Sequence, residues 1–364
     1  MLNRTKVRPA IARLAVGAIA LTAAATMLAG CSAGASSSGK VGVALIVKTT
    51  SNPYFVSMED SAKAAAAKDG VSLTLAAGTK DGDTDTQITA IENAISRGDK
   101  GILITPNGPA VNNEIQKARK AGLYVIALDT PPDPANTVDI TFATDNFAAG
   151  LAIGKWTAAQ LDGKKATIAL VDLFSDQVVS VDYNRDQGFL TGLGVPTNDI
   201  KKNGDESPTG SYTGGKGGQY EIVGNQPSQG AEDGGRTAME TLLSKNSNIN
   251  VVYAINEPAA YGAYQALKAA GKTDGVLLVA IDGGCSGVGY VQQGIIGATS
   301  QQYPGDMATK GMEAIVKLAK DGTKPTTSAG LDFFNTGSKL ITDKPVDGLP
   351  SITSADGAKL CWGK

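Results

Sequence analysis

Not one histidine occurs in the 364 residues. That excludes Ser-His-Asp and Cys-His catalysis and the usual histidine-containing zinc sites. Carboxylates or lysine remain for a catalyst, but the commonest general base is missing. An excess of one charge is lacking too, with 33 basic against 35 acidic residues and a formal charge of −2. Only the first 30 residues depart from balance, holding Arg4, Lys6, Arg8 and Arg13 and no acid, which leaves 29 basic against 35 acidic residues elsewhere. A mildly acidic body gives no electrostatic reason to expect nucleic acid as a partner. Charged residues at 19% and hydrophobic ones at 42% exclude bulk disorder. The length suffices for two domains.

Long apolar runs are scarce. One opens the chain, "LAVGAIALTAAATMLA" (Leu14–Ala29), and its 16 residues fall short of the about 20 that a membrane span needs. Basic, apolar and small residues follow one another in the order of an export signal over 1–30. "LAGC" (Leu28–Cys31) resembles the bacterial lipobox, in which the cysteine becomes the lipid-bearing first residue. The segment 31–39 is small and polar, a flexible tether of the kind a surface anchor needs. The three cysteines then divide: Cys31 is expected to be lipidated, and Cys285 and Cys361 are left in an oxidising compartment where disulfides persist. Whether those two are bridged is open, because sequence does not supply their separation.

From Val41 onward short apolar runs alternate with helical spacing. The strand candidates are "VGVALIV", "VSLTLAA", "GILITP", "LYVIALD", "ITFAT", "ATIALVD", "YEIVGNQ", "NVVYAIN", "VLLVAID" and "GATSQQ". Helical stretches lie between them, as at Ile88, Ile91 and Ile95 or Ala263, Leu267 and Ala270. Unbroken apolar strands separated by helices predict an α/β fold with parallel sheets covered on both faces. Ten units exceed one ordinary open sheet, so two doubly wound lobes are expected. Four runs end on a polar residue, namely Asp129, Asp172, Asn256 and Asp282. Ligands of open α/β sheets bind outside the carboxyl ends of the strands. Any one of these residues could simply cap the next helix; four together point to a shared polar crevice. Aromatic residues make up only 5% of the chain, yet Tyr54 and Phe55 stand side by side in "SNPYF" (Ser51–Phe55), where a strand hands over to a helix. Either these rings belong to the core or they line a site.

Three motifs fall short of the chemistry they suggest. "GSYTGGKG" (Gly210–Gly217) has the spacing of a phosphate loop, but Gly217 replaces the hydroxyl residue and no strand–helix context surrounds it, so a surface loop is expected. "DGDTDTQITAIE" (Asp81–Glu92) spaces its acids as a calcium loop does, but Thr86 stands where the sharp turn wants glycine. Those acids are expected to solvate and cap a helix start. "RGDK" (Arg97–Lys100) reads as the turn that ends that helix. No metal site and no cofactor are expected.

Taken in order, "SNPYF", "LDT" (Leu128–Thr130), "NRDQGF" (Asn184–Phe189), "INEPAAYGA" (Ile255–Ala263), "AIDGG" (Ala280–Gly284) and "ATSQQYP" (Ala298–Pro304) resemble the ribose-type sugar-binding proteins of ABC importers, from about Lys40 to about Gly322. "INEPAA", "DGGC" and "ATSQQYP" look closest to members that bind fructose and related sugars. The resemblance implies a type I periplasmic binding protein fold, two doubly wound lobes joined by a three-segment hinge. Crossings would fall near Ala143–Thr144, Gln302–Tyr303 and about Leu331, giving a first lobe of 40–143 plus 303–330 and a second of 144–302 plus 331–364. It also implies that Asn52, Tyr54 and Phe55 form a sugar-stacking loop and that Asp129 accepts from hydroxyls. Arg185 would engage two oxygens, with Asn256, Asp282 and Gln302 completing the site. Acids, amides and an arginine together suit an uncharged polyol, whose hydroxyls both donate and accept. Two departures stand out. Thr130 follows Asp129 where the ribose pattern has arginine, and no ring follows Gln226-Pro227.

The expected function is a lipid-anchored, monomeric solute-binding subunit on the extracytoplasmic face of the membrane, capturing a monosaccharide, fructose preferred, for an ABC permease. Ribose, xylose, a polyol, a nucleoside or a furanosyl signal molecule are the alternatives. A sugar-responsive transcription regulator of the same fold would need a helix-turn-helix where 1–39 hold an export signal and tether. An exported sugar-processing enzyme would have the carboxylates Asp129 and Asp282, but its histidine-free cleft offers no obvious nucleophile.

Overall fold

The computed structural model describes residues 40–363. The expected export signal, the lipidation site Cys31 and the tether lie outside those residues. Strand β1 (Gly42–Val47) is an unbroken apolar run with all but its first residue buried, as a strand covered on both faces requires. Helix α1 (Pro53–Asp69) follows. Asn52 caps it by accepting from the Tyr54 N–H at 2.9 Å, and Pro53 takes the first helical position, where a missing N–H costs nothing. "SNPYF" is therefore not a loop. Tyr54 and Phe55 occupy the first turn of α1, placed there by the cap.

The chain continues through β2 (Ser72–Ala77), α2 (Thr84–Arg97), β3 (Gly101–Ile104), α3 (Asn112–Lys120), β4 (Tyr124–Leu128) and β5 (Ile140–Ala143). Asp83 caps α2 by accepting from the Thr86 N–H, and Gly98 ends it at φ 70°. Among the described residues no group of three His, Cys, Asp or Glu side chains stands where it could hold a metal ion.

A second run comprises α4 (Asn146–Leu161), β6 (Ala166–Asp172), α5 (Ser180–Leu193), β7 (Thr209–Tyr212), β8 (Gly218–Pro227), α6 (Glu232–Lys245), β9 (Val251–Ala254), α7 (Glu257–Ala269), β10 (Leu277–Asp282), α8 (Cys285–Gln292) and β11 (Ala298–Gln301). It closes with α9 (Pro304–Asp321), β12 (Phe334–Asn335), β13 (Lys339–Ile341) and α10 (Ser354–Gly357). Two sheets result, ordered β12-β5-β4-β3-β1-β2 and β13-β11-β10-β9-β6-β8-β7. The first is parallel throughout, and the second carries an antiparallel strand at each edge. The fold is thus α/β with two parallel-sheet lobes, each sheet having apolar clusters on both faces.

Three passages join the sheets: β5 to α4, β11 to α9, and β12 to β13. Helix α9 returns to the first lobe, where Met307, Met312 and Ile315 pack with Val43, Leu45 and Met58. The third passage lies at Thr336–Ser338 rather than near Leu331, because Phe334 and Asn335 pair with Phe142 and Ala143 of β5. The glycine-rich stretch also departs from expectation. Instead of a plain surface loop, its Thr209–Tyr212 pairs antiparallel with Gly218–Glu221, and the Tyr212 ring is buried with its hydroxyl donating to the Lys164 carbonyl. Cys285 and Cys361 are bridged across a sequence separation of 76 residues.

Candidate functional site

The carboxyl ends of β4, β9 and β10 and the first turn of α1 converge on one small cavity, about 30 Å³, room for roughly two waters. Asn52, Tyr54, Phe55, Asp129, Arg185, Asn256 and Asp282 all line it. Gln302, on the second passage between the lobes, reaches it through Asp282, to whose Oδ1 its Nε2 donates at 3.0 Å. A larger chamber of about 520 Å³ adjoins it and shares Asn52, Asp81 and Asp282 as walls.

Arg185 stands at the centre, on α5 and buried. Its Nε donates to Asn146 Oδ1 at 2.7 Å and one Nη to the Ile255 carbonyl at 3.0 Å. The guanidinium also faces two carboxylates, Asp129 from the first lobe at 3.7 Å and Asp282 from the second at 3.8 Å. Those gaps exceed hydrogen-bond distance, so donors remain for a third party between the acids. Burial works against the charge of Arg185, but Asp282 and Asp129 together hold its pKa above the usual value.

The two acids are held by unusual backbone. Asp129 sits at φ 63° and Asp282 at φ 147°, both in the region that side chains normally avoid. Strain of this kind persists where the surroundings impose it, and it aims each carboxylate inward. Asp129 accepts from the Tyr54 hydroxyl at 2.9 Å and from the Thr130 hydroxyl at 2.7 Å. Burial pushes the Asp282 carboxyl up to about 7, with Arg185 opposing the rise. Burial thus favours its protonated form, in which the carboxyl can donate as well as accept. Glu257 beside it is pushed to about 8, first by burial and then by Asp282, and accepts from the N–H groups of Gly283 and Gly284.

Tyr54 and Phe55 answer the question of core or site with both. They are 3% and 4% exposed and pack in the first lobe's apolar cluster, while the Tyr54 hydroxyl points at Asp129. Asn256 likewise has two tasks. It caps α7 by accepting from the Ala259 N–H at 3.0 Å, donates to the Gly230 carbonyl at 2.9 Å, and lines the cavity.

Asp172 does not join this crevice. It is buried in the second lobe, where its Oδ2 accepts from Asn225 and it neighbours Asp182, Asp186 and Glu206. Gln187 links Asp186 to Glu206, which lies in the segment between α5 and β7. Two charged residues of the cavity wall, and one residue that bonds to Arg185, escaped the sequence reading. Lys48, at the end of β1, is 3% exposed and lies 3.7 Å from Asp81; both line the cavity, so Asp81 is a wall residue rather than a helix cap. Asn146 orients Arg185. A lysine after a strand and an asparagine opening a helix are ordinarily solvent-facing and capping residues, so neither carries a signal.

The fold and the cleft define a two-lobed binding protein. A sequence model of the periplasmic binding protein domain matches residues 43–324, and the chain belongs to that family. The ribose import binding protein of Escherichia coli is 28% identical over 306 residues, covering 84% of this chain and 91% of that protein. The D-apiose import binding protein of Actinobacillus succinogenes is 28% identical over 325 residues, covering 87% and 90%. Among solved structures, an ABC transporter periplasmic solute-binding protein from Actinobacillus succinogenes with bound D-allose superposes with a TM-score of 0.67 at 26% identity, covering 83% of this chain and 98% of that one.

Proposed function

We propose that this protein is the extracytoplasmic solute-binding subunit of a carbohydrate ABC importer and that it holds a monosaccharide between its lobes. One observation carries the reading: Arg185 lies buried between Asp129 and Asp282, one from each lobe, close enough to attract them and too far to satisfy them. A polyol between the lobes would take donors from Arg185 and Lys48 and acceptors from both acids, and its C–H edges would meet Tyr54 and Phe55. Such a ligand favours the closed arrangement by its differential affinity for it, and closure is the signal a permease can read. The protein is a carrier and not a catalyst. The names of the relatives favour ribose, apiose and allose; nothing in them supports the fructose preference, so the proposal is the wider one. A lipid on Cys31 would keep the carrier at the membrane, a reading supported by "LAGC" alone.

The test is a thermal-shift screen of the oxidised protein against D-ribose, D-allose, D-fructose, D-xylose, myo-inositol, adenosine and calcium. A ligand at 100 times its dissociation constant stabilises the native state by about 2.7 kcal/mol. A shift with one sugar, lost in Asp282→Ala, supports the reading. A shift with adenosine or calcium alone overturns it.

A further inference from the structure

A ring from the last described residues lines the larger chamber beside the Arg185 cavity. Cys361 is bonded to Cys285, the first residue of α8, which follows Asp282 by one turn of chain. Next comes Trp362. Its carbonyl accepts from the Cys285 N–H at 2.9 Å, and its indole Nε1–H donates to the Gln302 carbonyl at 2.9 Å. Its ring lies against Gly284, where a Cβ would come within 3.2 Å of it, and meets the Tyr54 ring edge-on, centroids 5.1 Å apart at 82°. Tyr54 is the residue whose hydroxyl holds Asp129.

We propose that the disulfide-bonded tail Cys361–Gly363 belongs to the ligand-binding apparatus. Trp362 acts as a positioning residue for Tyr54, and through it for Asp129, and ligand affinity therefore depends on the Cys285–Cys361 bond. The proposal rests on the reading that the Arg185 cavity is the sugar site. The physical reason is that Trp362 is anchored on the second lobe and the passage at Gln302, while its aromatic partner is on the first lobe. An edge-to-face pair of rings is worth about 0.5–1.5 kcal/mol, and only while the tail is held. Reduction by a dithiol transfers two electrons and two protons to the bridge, giving two thiols and the cyclic disulfide of the reductant. The tail is then left with one backbone and one indole hydrogen bond.

The experiment compares the oxidised protein, the protein reduced with dithiothreitol, Trp362→Ala, and Trp362→Phe. Each is titrated calorimetrically with D-ribose and D-allose, and the ligand-free forms are followed by amide hydrogen exchange over residues 54–58 of α1, with α6 as the internal control. Reduction and Trp362→Ala should each weaken binding by about three- to ten-fold and speed exchange at 54–58 but not in α6, and Trp362→Phe should restore most of both. Unchanged affinity in Trp362→Ala, or unchanged exchange at 54–58, overturns the proposal. If the oxidised protein binds neither sugar, the titration uses the sugar that shifts the thermal midpoint in the screen, and the exchange at 54–58 decides by itself whether Trp362 positions the turn that carries Tyr54.

Discussion

Two groups of buried carboxylates each include a strand end in this molecule, Asp129 and Asp282 in one and Asp172 in the other, and their surroundings differ. Asp129 and Asp282 face one another across the lobes with Arg185 between them. Asp172, Asp182, Asp186 and Glu206 crowd together inside the second lobe, and among the described residues none of the four makes an ion pair. Burial raises Asp172 and Asp186 well above the carboxylate range and Asp182 to about 6, with the neighbouring acids adding to the first two. The first group faces a fixed cation; in the second, burial and the neighbouring acids favour the protonated form of Asp172 and Asp186. A buried carboxylate thus becomes a candidate ligand-binding group where a cation faces it, and a structural group of the interior where side-chain amides and backbone N–H groups hold it.

Arg185→Met breaks the comparison most severely, because it turns the cleft pair into a second unpaired group. Stripping one partner from a buried pair costs about 3–5 kcal/mol, and sugar binding should vanish with it. Denaturant titration and calorimetry check both, and a variant that kept its affinity would remove Arg185 from the site. The opposite change, Asp172→Asn with Asp186→Asn, replaces two titratable acids of the second group with neutral amides. Because burial raises the folded-state pKa values there, the folded protein binds protons more tightly than the unfolded chain. The stability this contributes is complete below about pH 4, the ordinary carboxylate range, and drains away as pH rises through about 6, the value for Asp182. The double variant should flatten the fall in stability as pH rises above the ordinary carboxylate range, with sugar affinity unchanged. An unaltered slope would place the proton uptake elsewhere.

Tyr54→Phe is a gentler probe of the cleft group, taking one donor from Asp129. About 1 kcal/mol of stability and a several-fold loss of affinity are expected, read by the same two methods. Asp83→Ala, at the cap of α2, where the side chain bonds to Thr79 and Thr86 and to neither group, should cost about 1 kcal/mol without altering affinity. An affinity loss there would mean that general loosening suffices to explain the Tyr54 result.

All ten runs read from the sequence are strands, most plainly the central β3, β4, β6 and β9, whose burial on both faces requires an apolar run. The strands that escaped, β7, β12 and β13, are edge or two- to four-residue pieces whose existence depends on the partner they pair with. Of the cleft, the residues at strand ends and in the first turn of α1 were legible because their positions follow from the α/β pattern and the motif order. Lys48, Asn146 and Trp362 were not. Lys48 is buried only because Asp81 stands opposite, and Trp362 reaches the cleft only because a disulfide closes a loop of 76 residues in sequence. Such long-range coincidences leave no local pattern.

The third passage between the lobes sets a mechanical limit. Between Asn335, paired in the first sheet, and Lys339, paired in the second, the chain spans at most about 14 Å even when drawn straight. Gly337 is also held in place, its N–H donating to Asn335 Oδ1 and its carbonyl accepting from the Thr144 hydroxyl. The edges bearing β12 and β13 therefore behave like the spine of a book. The covers can swing, but they cannot slide past one another or part. A pair of distance labels on β2 and β7, at the opposite edges of the two sheets, would record a wide excursion when ligand is added, and a pair astride Thr336–Ser338 would record almost none.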